Sequence, residues 1–255
     1  MRRHHIFKFV IILLCIINFT ASQEKIQLPN TDTKHLFANN LYCDGWRLSV
    51  ETGNAGVWSL VPSECTSYVA DYMTGDRYLS DFEFVCAYSL AFAQTVEITG
   101  DGMDVWIFDI DETLLSNLPY YANNGYGSKK FNETRWDEWV VVSGAPALSP
   151  SLKLYNDLKQ MGFSLILITG RVESQRNVTE RNLLSAGYRD WGKLILRQYY
   201  DKGKPATEYK SEQRAQLIEK GFRIHGSSGD QWSDLNGYAT AQRSFKLPNP
   251  MYYIA

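Results

Sequence analysis

The charge of the chain argues against nucleic-acid binding, and its pattern of apolar residues argues against a membrane-spanning core. The chain has 255 residues with 26 basic and 28 acidic side chains, so its net charge of −2 argues against a nucleic-acid-binding protein. Its length suffices for one large domain, or a domain with a cap, around a substantial core. Beyond the N-terminus, no apolar run approaches the length of a membrane span.

The N-terminus, residues 1–22, has the composition of a secretory signal peptide. A basic end with Arg2 and Arg3 precedes an apolar run at residues 9–19, and small residues follow at 20–22. The run is about eleven residues long, whereas a membrane-spanning helix needs about twenty. We therefore expect cleavage at its end, a secretory route to the vacuole or the extracellular space, and no membrane attachment. Without the three basic residues of this segment, 23 basic and 28 acidic side chains remain, a net charge of −5.

Residues 23–100 are predicted to form an N-terminal arm followed by a helical region. The arm, residues 23–40, shows no clear periodicity. Apolar residues at steps of three and four predict helices at Cys65–Met73 and Asp81–Val96.

Three cysteines remain after the signal segment is removed, and an odd number in an oxidising compartment leaves one thiol over. Cys86 lies in a predicted helix and is favoured as a buried free thiol. Cys43 and Cys65 flank loop-rich sequence and are favoured as the disulfide pair. Three unpaired cysteines are the alternative, because spacing alone does not determine connectivity.

From residue 101 to 255 the pattern predicts a catalytic core with a doubly wound, mostly parallel α/β sheet of the Rossmann-like kind. Short apolar runs rich in β-branched residues are typical of buried parallel strands. The predicted strands are Asp104–Phe108, Ser164–Ile168, Lys193–Leu196 and Phe222–His225. The predicted helices between them are Ser149–Met161, Ser174–Ala186 and Ser211–Lys220.

One segment, residues 116–147, interrupts this alternation between the first and second predicted strands. It carries six aromatic residues among glycines and asparagines. Its position predicts a small cap inserted above the strand ends. Its aromatic residues either contact a substrate or form only a local core, and the sequence leaves both open.

Four polar motifs are expected to meet at one edge of the sheet, because ligands bind at the carboxyl ends of parallel strands. The motifs are Asp109-x-Asp111-x-Thr113, Thr169-Gly170-Arg171, Lys210 and Gly229-Asp230-x-x-x-Asp234. Each alone is a weak signal, since acidic residues commonly cap helices and a lysine at a helix start is usually solvated. Their joint occurrence in this order indicates a site for phosphate ester chemistry.

Hydrolysis of a phosphate monoester needs a nucleophile, a proton donor and positive charge. Asp109 is predicted to attack phosphorus and form an aspartyl phosphate. Asp111 would donate a proton to the leaving group and then take one from water. Thr169 would donate a hydrogen bond to the phosphate, and Lys210 would neutralise its charge.

The same acidic residues suit Mg²⁺, which prefers oxygen ligands. We expect Asp109, the backbone carbonyl of Asp111 and Asp230 to coordinate the ion. Asp234, one helical turn beyond Asp230, is expected to support the metal site or hold one of its waters.

The four motifs resemble the signature of the haloacid dehalogenase superfamily, and the aspartate at position 111 resembles that of its phosphatase branch. Nearly the whole mature chain is also similar to the plant class B acid phosphatase and vegetative storage protein family. The segments that carry this similarity are Phe108–Tyr121, Gly170–Glu173, Ala186–Tyr188, Leu194–Arg197, Tyr209–Ser211 and Phe245–Tyr253.

The resemblance implies a haloacid dehalogenase fold, a Mg²⁺-dependent acid phosphatase, a small phosphate monoester as substrate, and a homodimer. The residues that match the functional positions of the superfamily are Asp109, Asp111, Thr169, Lys210, Asp230 and Asp234. Thr113, Gly170 and Arg171 are expected at the substrate. For Arg171 a structural salt bridge is the alternative.

The same resemblance is compatible with two other functions. A storage or defence glycoprotein would retain only residual phosphatase activity, and a phosphotransferase would pass phosphate to an acceptor alcohol. Some vegetative storage proteins have lost the nucleophile, so the retained Asp109 favours the enzyme. Two glycosylation sequons begin at Asn132 and Asn177. Asn132 is favoured, because Asn177 lies in a predicted helix.

Overall fold

The computed structural model describes residues 41–255. The expected signal peptide and the arm at residues 23–40 lie outside these described residues. A five-stranded parallel sheet with the strand order β3-β2-β1-β4-β5 forms the centre. The strands are β1 Asp104–Phe108, β2 Ser164–Val172, β3 Lys193–Arg197, β4 Arg223–Gly229 and β5 Arg243–Lys246. The predicted α/β fold class is confirmed.

Helices cover the sheet and connect its strands. They are α1 Leu41–Glu51, α2 Thr66–Thr74, α3 Asp76–Ala93, α4 Leu118–Asn123, α5 Glu133–Val142, α6 Ser149–Met161, α7 Arg176–Ser185, α8 Ala206–Glu219 and α9 Trp232–Leu235. Single 3₁₀ turns lie at Ser63–Cys65, Glu173–Gln175 and Tyr199–Asp201. Within residues 41–255, none of the helices has the length and apolar character to cross a bilayer.

The strand β1 shows why this sheet is buried on both faces. All five of its residues are buried, and its side chains alternate between two hydrophobic clusters. Trp106 and Phe108 belong to the larger cluster, which also contains Phe82 of α3. Val105 and Ile107 face the smaller cluster, formed with residues of α8. The N-terminal helical region therefore shares the core of the α/β sheet.

The structure differs from the predicted elements at one strand and at several element ends. Strand β2 runs to Val172, four residues past its predicted end, and α3 begins at Asp76, five residues before its predicted start. The edge strand β5 was not predicted, because only Phe245 of its four residues is buried and no alternation shows in so short a run. Phe245 stacks on Trp106 with ring centroids 5.5 Å apart, which holds the strand against the core. Helix α8 begins at Ala206, five residues before the predicted start, after Pro205. Lys210 consequently lies in the second turn of the helix.

A disulfide joins Cys43 of α1 to Cys65, with the two Cα atoms 5.5 Å apart. This is the pairing that the sequence favoured, and Cys86 is a buried free thiol. Burial raises the pKa of the Cys86 thiol to about 12. The thiol is therefore protonated and unreactive at neutral pH.

Charged groups are also buried at the amino end of the sheet, away from the four motifs. Asp104 opens β1 with a side chain that is 1% exposed. Its carboxylate lies 2.7 Å from both Arg223 Nε and His225 Nε2, and accepts a hydrogen bond from Thr99 N at 2.8 Å. The Arg223 guanidinium, followed by the other hydrogen bonds, holds the pKa of Asp104 well below its usual range.

Asp104→Asn is expected to lower the free energy of unfolding at pH 7 by about 2 kcal/mol, because the charged partners lose their counter-ion. A depressed pKa stabilises the folded state above the unfolded value of about 3.9, and the contribution is lost as pH falls towards the folded value. Urea unfolding at pH 7 and pH 3 should show the gap between wild type and variant shrinking in acid. A gap that does not change with pH would contradict the ion-pair explanation.

Candidate active site

Residues from four separate segments meet at the carboxyl edge of the sheet. Asp109 follows β1, Asp230 follows β4, Asp234 lies in α9 and Lys210 lies in α8. The Lys210 ammonium donates to Asp109 Oδ1 at 2.6 Å and also contacts Asp234 Oδ1. Carboxylate oxygens of all three aspartates lie within 4.8 Å of one another, and every one of these side chains is buried. Three of the four motifs thus provide three clustered carboxylates and one ammonium group.

The close approach of Asp234 depends on a glycine at position 229. A Cβ atom at Gly229 would collide with the side chain of Asp234. Any other residue at the end of β4 would therefore push this carboxylate away from Lys210.

The electrostatics of this cluster are unbalanced towards negative charge. Burial, with added repulsion from Asp234 and Asp230, raises the pKa of Asp109 well above its usual value despite the nearby Lys210. Burial and the carboxylates of Asp234 and Glu112 raise the pKa of Asp230 to about 7. Burial acts to lower the pKa of Lys210, but Asp109 and Asp234 outweigh it and raise the value. A further positive charge would therefore stabilise the cluster.

The donor set fits a divalent cation. Asp109, Asp230 and Asp234 offer converging hard oxygen ligands in a buried site, and the Lys210 ammonium group offsets part of their charge. Asp234, expected beside the metal site, thus lies in the same oxygen cluster as Asp109 and Asp230. The Asp111 side chain is bound elsewhere, so only its backbone carbonyl is available for a metal role.

Asp230 is held by residues from three parts of the chain. The Thr113 hydroxyl accepts from Asp230 N at 3.1 Å and lies 3.2 Å from Asp230 Oδ1. The other carboxylate oxygen accepts from Gln231 Nε2 at 2.7 Å and from Asn249 Nδ2 at 2.8 Å. The Thr113 side chain, expected at the substrate, is fully buried and positions Asp230. Neither Gln231 nor Asn249 was a predicted site residue, although Asn249 lies in the C-terminal segment that carried the resemblance.

Asp111 forms a two-pronged ion pair with Arg171. Arg171 Nη2 donates to Asp111 Oδ1 at 2.7 Å, and Arg171 Nε donates to Oδ2 at 3.0 Å. Burial acts to raise the pKa of Asp111, but the guanidinium outweighs it and lowers the value. A further nitrogen of Arg171 donates to Thr179 Oγ1 at 3.2 Å. Of the two roles considered for Arg171, the geometry favours the salt bridge.

Thr169 and Gly170 lie in β2 directly before Arg171, since the strand runs past its predicted end at Ile168 to Val172. Thr169 is buried, and its hydroxyl accepts a hydrogen bond from Arg171 N at 3.1 Å. Gly170 is exposed, and no heavy atom lies within 4 Å of where its Cβ would be. There is therefore open space for a ligand beside Gly170.

Glu112 is a further residue of this site that the sequence did not single out. It is fully buried, and its backbone is in the left-handed region with φ of 53°. Its carboxylate accepts from Asn117 N and from the Tyr252 hydroxyl, both at 2.5 Å. Burial, followed by the charge of Asp111, raises its pKa to about 7. The loop after β1 is thus bound to both the 116–147 segment and the C-terminus.

The segment predicted as a cap, residues 116–147, leaves and rejoins the core at adjacent points, since Ser116 N donates to Pro146 O at 2.9 Å. It contains α4 and α5 and is hereafter the cap segment. Tyr121 of α4 stacks on Tyr252 with centroids 5.0 Å apart. Asn182 of α7 donates to Ala145 O at 2.7 Å, which ties the cap segment to the core.

The two sequon asparagines are both exposed. Asn132 is the N-cap of α5, and its Oδ1 accepts from Arg135 N at 3.0 Å. Asn177 lies in the first turn of α7, and the hydroxyl of its sequon partner Thr179 is buried against Arg171.

Comparisons with known proteins identify the family. The HAD superfamily, subfamily IIIB (acid phosphatase), matches residues 30–255. Acid phosphatase 1 of Solanum lycopersicum is 52% identical over 216 residues, which cover 85% of each chain. Vegetative storage protein 2 of Arabidopsis thaliana is 38% identical over 225 residues, covering 88% of this chain and 84% of the relative. The class C acid phosphatase of Bacillus anthracis has the same fold, with a TM-score of 0.63 at 21% identity over 75% of this chain and 86% of that one. The predicted resemblance is confirmed, and the chain belongs to the acid phosphatases of subfamily IIIB in the HAD superfamily.

Proposed function

We propose that this acid phosphatase is Mg²⁺-dependent and hydrolyses small phosphate monoesters through an aspartyl phosphate on Asp109. The observation that carries the proposal is the contact between the buried Asp109 carboxylate and Lys210, beside Asp230 and Asp234. A carboxylate held by an ammonium group and surrounded by potential metal ligands is suited to attack phosphorus.

Asp109, Asp230 and Asp234 are the side chains that would hold Mg²⁺, together with the backbone carbonyl of Asp111. The bound ion supplies positive charge that offsets the repulsion between phosphate and carboxylates. Lys210 contributes a permanent charge, because its raised pKa keeps it protonated. Thr169 and Gly170, near the carboxyl end of β2, lie beside open space where phosphate oxygens would accept hydrogen bonds.

Two steps complete the reaction. Asp109 forms a bond to phosphorus as the bond to the leaving oxygen breaks, and Asp111 transfers its proton to that oxygen. Water then attacks the phosphorus of the aspartyl phosphate while Asp111 accepts a proton, which releases phosphate and restores the Asp109 carboxylate and the acid form of Asp111. The ion pair with Arg171 favours the anionic Asp111 that the second step requires.

A storage role is the second candidate, because a relative at 38% identity is named a vegetative storage protein. The intact contact between Asp109 and Lys210 favours the enzyme. For either role we propose that residues 1–22 direct the chain to the vacuole or the extracellular space. We also propose a glycan on the exposed Asn132 and a homodimer.

Removal of divalent metal from the mature protein is expected to lower turnover of nitrophenyl phosphate by at least ~100-fold, because the carboxylate cluster then repels the substrate. Added Mg²⁺ should restore the rate, whereas K⁺ at equal ionic strength should not. Full turnover in a chelator would contradict the metal dependence. A protein inactive with Mg²⁺ present would favour the storage role.

A further inference from the structure

The side chain of Asn117 uses both of its N–H donors and its carbonyl oxygen to connect the loop after β1 with the cap segment. It is fully buried, and Nδ2 donates to Asp111 Oδ1 at 2.9 Å and to Glu112 Oε2 at 3.1 Å. Its Oδ1 accepts from Trp139 Nε1 at 2.8 Å. The amide can take only this orientation, because a reversed amide would direct its carbonyl at two carboxylates and its N–H groups at the indole N–H.

The hydrogen bonds of Asn117 connect two separate parts of the fold. Asp111 belongs to the loop after β1, whereas Trp139 lies on α5 of the cap segment. The same helix is tied to the core by Gln175 Nε2, which donates to Asp137 Oδ1 at 2.9 Å. A displacement of α5 would therefore remove the donor that orients the Asn117 amide.

The hydrogen bonds at Asp111 are divided unevenly between its two oxygens. Oδ1 accepts from Arg171 Nε at 3.2 Å, Arg171 Nη2 at 2.7 Å and Asn117 Nδ2 at 2.9 Å. Within residues 41–255, Oδ2 accepts only from Arg171 Nε, at 3.0 Å. Oδ2 is therefore the oxygen with capacity to hold a proton. Asn117 and Arg171 together prevent the carboxylate from rotating to exchange the two oxygens.

We propose that Trp139 and Asn117 form a relay through which α5, seated on the core, orients the Asp111 carboxylate for proton transfer to the leaving group. The inference rests on the proposed role of Asp111 as general acid. Both relay residues act through Asp111 and are positioning residues. A donating indole also polarises the Asn117 amide, which strengthens its bond to Asp111.

Trp139→Phe removes the indole N–H and retains an aromatic ring. It should lower kcat for an alkyl phosphate about tenfold and kcat for nitrophenyl phosphate less than about twofold, with KM nearly constant. An alkoxide needs a proton to leave, whereas a nitrophenolate does not. Asn117→Asp keeps the acceptor for Trp139 but replaces the donor to Asp111, so it should change the same rate ratio at least as much.

The matched control is Trp136→Phe, one turn earlier on α5, where the indole packs edge-on against Tyr120 with centroids 5.3 Å apart. This variant should leave the ratio of alkyl to nitrophenyl rates unchanged. Equal losses on both esters in folded Trp139→Phe, or an unchanged ratio in a folded Asn117→Asp variant, would overturn the relay while the phosphatase activity stands. An inactive wild type would instead overturn the proposed function. Urea unfolding establishes which variants fold.

Discussion

Asp109→Asn is expected to lower kcat for every phosphate monoester by at least ~10³-fold, because an amide cannot attack phosphorus as a carboxylate does. The asparagine has nearly the same shape, and its side-chain oxygen can still accept from Lys210, which now lies 2.6 Å from the aspartate. The loss therefore reports the nucleophile itself. Initial rates with nitrophenyl phosphate at saturating Mg²⁺ give the measurement.

The stability of Asp109→Asn should not fall with its activity. Removal of one negative charge relieves repulsion with Asp230 and Asp234 when no metal is bound, so the free energy of unfolding should not fall. Asp190→Asn is a suitable control, because the Asp190 side chain is 78% exposed on the surface. Its activity should match that of wild type. Retention of more than a tenth of the wild-type rate by Asp109→Asn would rule out the covalent route.

Asp111→Asn should have the second largest effect, and its size should depend on the leaving group. Without the proton donor, kcat for an alkyl phosphate should fall about 10²- to 10⁴-fold, while the loss for nitrophenyl phosphate should be much smaller. Proton donation requires the acid form of Asp111, which its ion pair with Arg171 disfavours. The alkyl reaction of the wild type should accordingly gain most from acidic solution.

The decisive quantity is the ratio of alkyl to nitrophenyl rates in wild type and variant. Asp190→Asn again serves as the comparison, because this exposed aspartate pairs with Lys159 and does not touch Asp111. Its ratio should equal that of wild type. If Asp111→Asn leaves the ratio unchanged, another group protonates the leaving oxygen.

The sequence by itself indicated the fold class and the residues that meet at the carboxyl edge of the sheet. Apolar runs such as Asp104–Phe108 predict buried parallel strands, because a strand that is covered on both faces needs apolar side chains on both. The order of the four motifs then placed Asp109, Asp230 and Lys210 at one edge, where the structure brings them together. Local patterns carry this information, since each strand and the polar residue that follows it are adjacent in the chain.

Local patterns did not reveal the edge strand β5. Three of its four residues are not buried, and its position follows from parallel pairing with β4 and from the stacking of Phe245 on Trp106. Neither contact leaves a periodic signal in so short a segment. The early start of α8 at Ala206 was missed too, because only Ala206 and Tyr209 are apolar in the five residues after Pro205, too few to show an apolar stripe.

Only the tertiary structure decided how the charged and amide side chains pair. Arg171 could have contacted substrate or formed a salt bridge, and its place beside Asp111, 60 residues away, favours the salt bridge. Glu112 and Tyr252 are 140 residues apart, yet they share a buried hydrogen bond. Such pairs depend on distances between segments that the packing of the whole chain sets. No local spacing encodes those distances, so the network that holds Asp111 emerges only when the cap segment and C-terminus are folded onto the sheet.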